Sequence, residues 1–193
     1  MRLEEGKYYH LYNRSVNYEL LFKEENNYLF FLRRYAKYTK ELVNTFAYCL
    51  MPTHFHFFVQ IKAADETTKP AINNRLIPAE QAFQNVFISY SKAINKAFNR
   101  HGSLFQNKYK KKEVNDASYF SQIIAYIHYN PVRAKLCISP EEWTFSSYKA
   151  FLSHQNTLIK REEVLDWFGG EARFVSFHHH YDPTKNINKY LFK

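Results

Sequence analysis

The stretch Met51-Pro52-Thr53-His54-Phe55-His56-Phe57-Phe58-Val59 decides how this chain reads. It is extended and apolar, and in a strand residues i and i+2 point to the same side. His54 and His56 are therefore expected on one face of a sheet, with Phe55 and Phe57 entering the opposite layer. Two imidazoles so placed can hold one metal ion. In a chain with nine histidines, a chance His-x-His pair is the competing reading.

Outward from this stretch, Val43 to Met51 and Phe55 to Ile61 read as two strands joined at Pro52-Thr53, an antiparallel pair. Lys7 to Val16 is a tyrosine-rich strand by alternation. Glu24 to Lys40 places Tyr28, Phe31, Leu32, Tyr35 and Tyr38 at helical spacing. Residues 62–78 lack periodicity and read as a long, mobile connection. Ala79 to Arg100 repeats the helical pattern through Phe83, Val86, Phe87, Tyr90 and Ile94, with Gly102 near its end. A fourth strand falls within Leu104 to Val114. Asp116 is placed to cap a helix that runs to about Asn130, where Pro131 is expected to stop it. Trp143 to Leu152 and Glu162 to Phe177 suit short helices.

The resulting order, β-α-β-β-α-β and then a helix, predicts an α+β, ferredoxin-like fold: an antiparallel sheet with helices on one face and a small helical C-terminal appendage. Two units are expected, 1–150 as the main domain and 151–193 as an appendage packed on it.

Composition narrows the function. Four glycines in 193 residues leave no phosphate-cradling loop, neither G-x-G-x-x-G nor a Walker A sequence. Lys and Arg total 27 against 18 acids, a formal charge of +9, alongside 16 Tyr and 18 Phe. Cations and exposed rings suit a nucleic acid, although an ordinary basic protein has the same totals. Cys49 and Cys137 read as reduced thiols, which with no secretory signal predicts a cytoplasmic protein. No apolar run approaches the ~20 residues that span a bilayer. The run His178-His179-His180 reads as solvated.

On the helix Ser118 to Asn130, Phe120, Ile123, Ile124 and Ile127 form the buried stripe, and Tyr126 and Asn130, at i and i+4, lie along one edge of it. That edge suits a site between helix and sheet, or a tyrosine packed at the rim of the core with its hydroxyl wet.

The segments Tyr9-His10 with Asn13-Arg14, Cys49 to Val59, Leu104 to Tyr109, Tyr126-Ile127-His128-Tyr129-Asn130-Pro131-Val132-Arg133-Ala134-Lys135-Leu136 and Trp143 to Tyr148 resemble the HUH-type single-tyrosine transposases, especially the REP-associated tyrosine transposases. The resemblance covers Tyr8 to Tyr148. Met-Pro-x-His-x-His and Tyr-Ile-x-x-Asn-Pro-Val-Arg-Ala are its most specific parts, and the 61–79 connection is longer than the family usually carries. It implies His54, His56 and Asn130 as metal ligands, Tyr126 as nucleophile, and Mg2+ or Mn2+ as the ion, where a His pair by itself would suggest zinc. It implies cleavage and rejoining of single-stranded or hairpin DNA through a 5′-phosphotyrosine. The protein would be a monomer or homodimer with no membrane partner.

Lys108, Lys110, Lys111 and Lys112 would grip a DNA backbone, or guard an edge strand against aggregation. Arg133 would contact phosphate or cap carbonyls. Arg14 and His10 are supported by the resemblance, and Arg14 is taken with the DNA-contacting group. Tyr119 and Tyr129 offer rival hydroxyls without an Asn four residues on, and His128 reads as structural. A replication or conjugation nickase with the same residues, and a noncatalytic nucleic-acid binder on the same sheet, are the alternatives.

Overall fold

The computed structural model describes residues 2–63, 71–72, 75–76 and 78–182. Four strands, β1 (Tyr8–Arg14), β2 (Val43–Met51), β3 (His54–Ile61) and β6 (Lys110–Glu113), form an antiparallel sheet in the order β2-β3-β1-β6. With α1 (Glu25–Thr39) and α2 (Ala79–Ala97), this is the expected ferredoxin-like arrangement. A short antiparallel hairpin, β4 (Ala71–Ile72) with β5 (Arg75–Leu76), lies between β3 and α2. The mobile connection expected at 62–78 otherwise falls largely outside the described residues.

Strand alternation assigns the two faces. Phe55, Phe57, Val59, Tyr9 and Leu11 share one core with Phe31 and Tyr35 of α1 and Phe83, Val86 and Tyr90 of α2. Phe58, Cys49 and Met51 share the other with α3 (Phe120–Arg133), α4 (Tyr148–Phe151), α5 (Arg161–Phe168) and α6 (Glu171–His179). Each side layer is driven by burial of large rings, roughly 1.5–3 kcal/mol per fully buried side chain. Phe31 is fully buried and touches Phe22, Phe55, Phe57 and Tyr90. Phe31→Ala should cost about 3–5 kcal/mol.

Local signals explain most boundaries. Glu24 and Asn27 form a reciprocal capping box at the start of α1. Asp116 accepts from Ser118 N at 3.0 Å and opens a 3₁₀ turn that feeds α3. The fourth strand is confined to Lys110–Glu113 rather than most of 104–114. Helix α2 ends on Asn99, at φ 45°, with Arg100 N donating to Asn95 O at 2.9 Å; this left-handed cap precedes Gly102. Pro131 does not end α3, which continues to Arg133. The missing N–H forfeits only the bond to Ile127 O, and the Asn130 amide nitrogen lies 3.5 Å from that oxygen.

Residues 143–147, expected to be helical, are instead laid along the free edge of β2. Leu50 N donates to Phe145 O, Ser147 N to Tyr48 O, and Trp143 Nε1 to Leu50 O. Covering an edge this way blocks strand-to-strand association. Among the described residues, no helix is long and apolar enough to cross a membrane.

Candidate active site

The two-residue connection at Pro52-Thr53 pairs Met51 with His54, and the ladder sets Cys49 beside His56 on one side and Tyr12 beside His56 on the other. Arg14 stands opposite His54 and His10 opposite Phe58. Residues paired across an antiparallel sheet share a face, so His54, His56, His10, Tyr12 and Arg14 all lie on the α3 side.

The rings of His54 and His56 are 5.3 Å apart between centroids and nearly perpendicular. His56 Nδ1 lies 2.9 Å from His10 Nε2, and His54 Nδ1 lies 3.2 Å from Thr53 Oγ1. These contacts engage Nδ1 of each ring and leave each Nε2 with no hydrogen-bond partner among the described residues. Burial, and then the positive Arg14, lowers the His54 pKa to about 4. Burial, and then the neighbouring His10, His54, Arg133 and Arg14, holds His56 well below its ordinary value. Both imidazoles are therefore neutral near pH 7, and in the tautomer with the proton on Nδ1 the lone pair is on the unpartnered Nε2.

Tyr126 is buried between α3 and the sheet, its ring edge-on to His10 at 6.0 Å and to His56 at 5.7 Å. The guanidinium of Arg133, about two turns further along the same face of the helix, lies 5.2 Å from the ring centroid. Arg133 is thus over the tyrosine rather than folded back on carbonyls. Among the described residues the Tyr126 hydroxyl has no hydrogen-bond partner. Tyr129 differs, since its hydroxyl donates to His178 O at 2.5 Å. Tyr119 sits at the N-terminus of α3, packed against the second core.

Asn130 is buried one turn beyond Tyr126 and donates through Nδ2 to Tyr126 O at 2.9 Å. Its amide oxygen is left as the atom not committed to the helix. Among the described residues no hydrogen bond joins Asn130 to either imidazole; Tyr126, whose carbonyl accepts from it, packs against His56.

The spacing of the two imidazoles is compatible with one shared divalent ion. A metal–nitrogen bond of about 2 Å puts two imidazoles sharing an ion about 4.5–5.5 Å apart between ring centres, which brackets the separation of His54 and His56. Among the described residues no group of three or more His, Cys, Asp or Glu is arranged to hold a metal. A third protein ligand would have to be an amide oxygen such as that of Asn130.

The lysine cluster divides by strand parity. Lys110 pairs with Tyr12 and Lys112 with His10, placing both on the imidazole face at the sheet edge. Lys111 pairs with Leu11, faces α2 and is 3.2 Å from Glu80. Lys108, at φ 62°, lines a groove of about 1060 Å³ between α2 and residues 102–111, on that same far side.

Tyr12 was not singled out by the sequence, yet its ring is 4.8 Å from His56 and 5.8 Å from His54. The alternation Tyr8, His10, Tyr12, Arg14 within β1 was the signal available for it. The run at 178–180 is only partly solvated: His178 is buried, bonded to His128 at 2.9 Å and to Phe174 O at 2.8 Å. His128 is structural as expected, its other nitrogen 2.7 Å from Ser147 Oγ.

No family model matches the sequence, and no curated protein does. A solved structure of a REP-associated tyrosine transposase bound to a REP hairpin is similar over 89% of this chain and 94% of its own, with a TM-score of 0.63 at 14% identity. The chain therefore has the fold of a REP-associated tyrosine transposase.

Proposed function

We propose that this protein cleaves and rejoins DNA, with Tyr126 as nucleophile and His54, His56 and Asn130 as the ligands of a divalent ion, Mg2+ or Mn2+. The observation that carries the reading is the contrast between two tyrosines on one helix. Tyr126 packs against the imidazoles of His56 and His10 with its hydroxyl uncommitted, while the Tyr129 hydroxyl is bonded to the backbone of α6. The fold shared with a hairpin-bound transposase supports single-stranded or hairpin DNA as the partner.

In the reaction, Tyr126 Oη attacks phosphorus, its proton leaves to solvent or a nearby base, and the O3′–P bond breaks. The products are a 5′-phosphotyrosine and a 3′-hydroxyl, which takes up a proton. One phosphate ester replaces another, so rejoining needs no external energy. A bound divalent ion supplies charge that polarises the scissile phosphate. Arg133 holds the tyrosine ring and adds positive charge beside it. Lys110 and Lys112, at the sheet edge on this face, would contact backbone phosphates.

The test is a labelled hairpin oligonucleotide incubated with Mn2+, with the covalent adduct resolved on a denaturing gel and mapped by peptide mass. An adduct on Tyr126 that disappears in Tyr126→Phe, and persists in Tyr129→Phe, is the expected result. Binding of the oligonucleotide without any adduct would instead identify a noncatalytic binder.

A further inference from the structure

Residues Val16 to Glu19 form a tight turn closed by Glu19 N donating to Val16 O at 3.1 Å. Both central residues have positive φ, 51° at Asn17 and 56° at Tyr18. Turns of this hand favour Asn followed by Gly. Asn17 suits the first place, but a tyrosine in the second sets a bulky β-carbon where sterics disfavour it. Burial does not explain the choice, because Tyr18 is 76% exposed.

The turn is tied to the lip of the candidate site. Ser15 N donates to Thr53 O at 2.8 Å and Leu21 N to Pro52 O at 2.7 Å, so the loop is laced to the hairpin that carries His54. Arg14, opposite His54, lies between two rings, with its guanidinium 5.6 Å from the Tyr12 centroid and 5.5 Å from that of Tyr18. Tyr12 in turn is 4.8 Å from the His56 ring. A succession of planar groups, His56, Tyr12, Arg14 and Tyr18, thus leads from the buried imidazole to the surface.

We propose that Tyr18 is a stacking platform for an unpaired nucleobase of the DNA strand whose phosphate reaches Tyr126, with Arg14 backing the ring from beneath. This rests on the function proposed above. A cation behind the ring and solvent on its outer side leave one planar face for a base, and stacking of this kind tolerates any base. The strained turn holds the ring outward before DNA arrives, which lowers the ordering cost of binding.

The experiment uses the full chain in EDTA, so that binding is read without cleavage. The probes are a blunt hairpin and the same hairpin with single-stranded extensions, carrying 2-aminopurine at successive unpaired positions. The parent protein should quench the fluorophore at one extension position. Tyr18→Ala should lose that quenching and bind the extended hairpin roughly 5- to 150-fold more weakly, with the blunt hairpin unaffected, and Tyr18→Trp should restore both. Tyr18→Gly suits the turn, so it should melt higher than the parent while losing the quenching, which separates stacking from folding. Quenching retained in Tyr18→Ala, equal weakening on both hairpins, or no recovery with Tyr18→Trp would overturn the proposal alone. If the parent binds neither hairpin, the functional reading itself fails and this inference with it.

Discussion

Two pairs of imidazoles meet in this molecule at the same 2.9 Å, His10 with His56 between α3 and the sheet, and His128 with His178 between α3 and α6. Their surroundings differ. The second pair is closed at both ends: His178 Nδ1 donates to Phe174 O, so its Nε2 accepts from His128 Nδ1, and His128 Nε2 accepts from Ser147 Oγ. Ser147 Oγ accepts in turn from Tyr48 N at 2.9 Å. The Ser147 hydroxyl also lies 3.2 Å from Tyr48 O, and all four ring nitrogens of the pair have a partner. The first pair ends instead on His56 Nε2, which has no hydrogen-bond partner among the described residues, beside a tyrosine in the same condition. A satisfied network fixes structure, and an open-ended one keeps a lone pair available for chemistry.

The largest effect that would sharpen this contrast is on activity. His56→Ala should lower Mn2+-dependent adduct formation on the order of 10²–10³-fold, with the far-UV spectrum and cooperative unfolding retained. Equal activity in a folded His56→Ala protein would break the contrast at once. His128→Ala should behave in the opposite way, costing about 2–4 kcal/mol in urea unfolding through the cavity and the stranded partners Ser147 and His178, with adduct formation intact wherever the protein is folded.

Acid should find the closed pair next. Burial lowers the His178 pKa to about 4, and burial together with His178 holds His128 well below its ordinary value. For histidines shifted down on folding, stability is complete above the unfolded pKa of about 6.5 and falls as pH drops, because the unfolded chain takes up the proton first. Denaturant midpoints should therefore decline between pH 6.5 and 4, by a loss on the order of 3 kcal/mol from this pair, and His178→Gln should flatten that slope. An identical slope in His178→Gln would show that the pair is not what titrates.

The smallest effects lie on β6, where parity predicts a split. Removing Lys110 and Lys112 together should reduce the salt dependence of hairpin binding by about one to two units of slope, measured by titration at several salt concentrations. Lys111→Ala should leave the slope alone and cost under about 1 kcal/mol through its partly exposed contact with Glu80. Equal slopes in the two proteins would return the strand to a purely edge-guarding role.

Much of the fold was legible because its signals are local. The period-two run through His54 and His56, the heptad-like spacing of α1 and α2, and the Asp116 cap each depend on a few adjacent residues, and each appears where the pattern put it. What was misread depends on contacts between distant residues. Pro131 looks like a stop until the Asn130 amide is seen approaching the Ile127 carbonyl it strands. Residues 143–147 resemble a helix until β2 offers them an edge. His178 looks solvated beside its exposed neighbours because its partner, His128, is fifty residues earlier. In the candidate site the imidazole pair and the Tyr126–Asn130 spacing were legible. Tyr12 and Tyr18 were not, because their meaning comes from the register of β1 against β3 and from backbone angles that no residue pattern states.

The connection Pro52-Thr53 also makes this site intolerant of length change. Across a two-residue turn, inserting or deleting one residue would exchange the faces of β3, turning His54 and His56 into the aromatic core and Phe55 and Phe57 toward Tyr126. The sheet does accommodate one extra residue, at the irregularity between Thr45 and Ala47, but that lies on β2 near the far end from the turn, where Phe46 fills the second core. Insertions along this hairpin are confined to even steps or to the end away from the histidines. For anyone recombining or grafting such a domain, the unit to carry over whole is the hairpin from Val43 to Ile61.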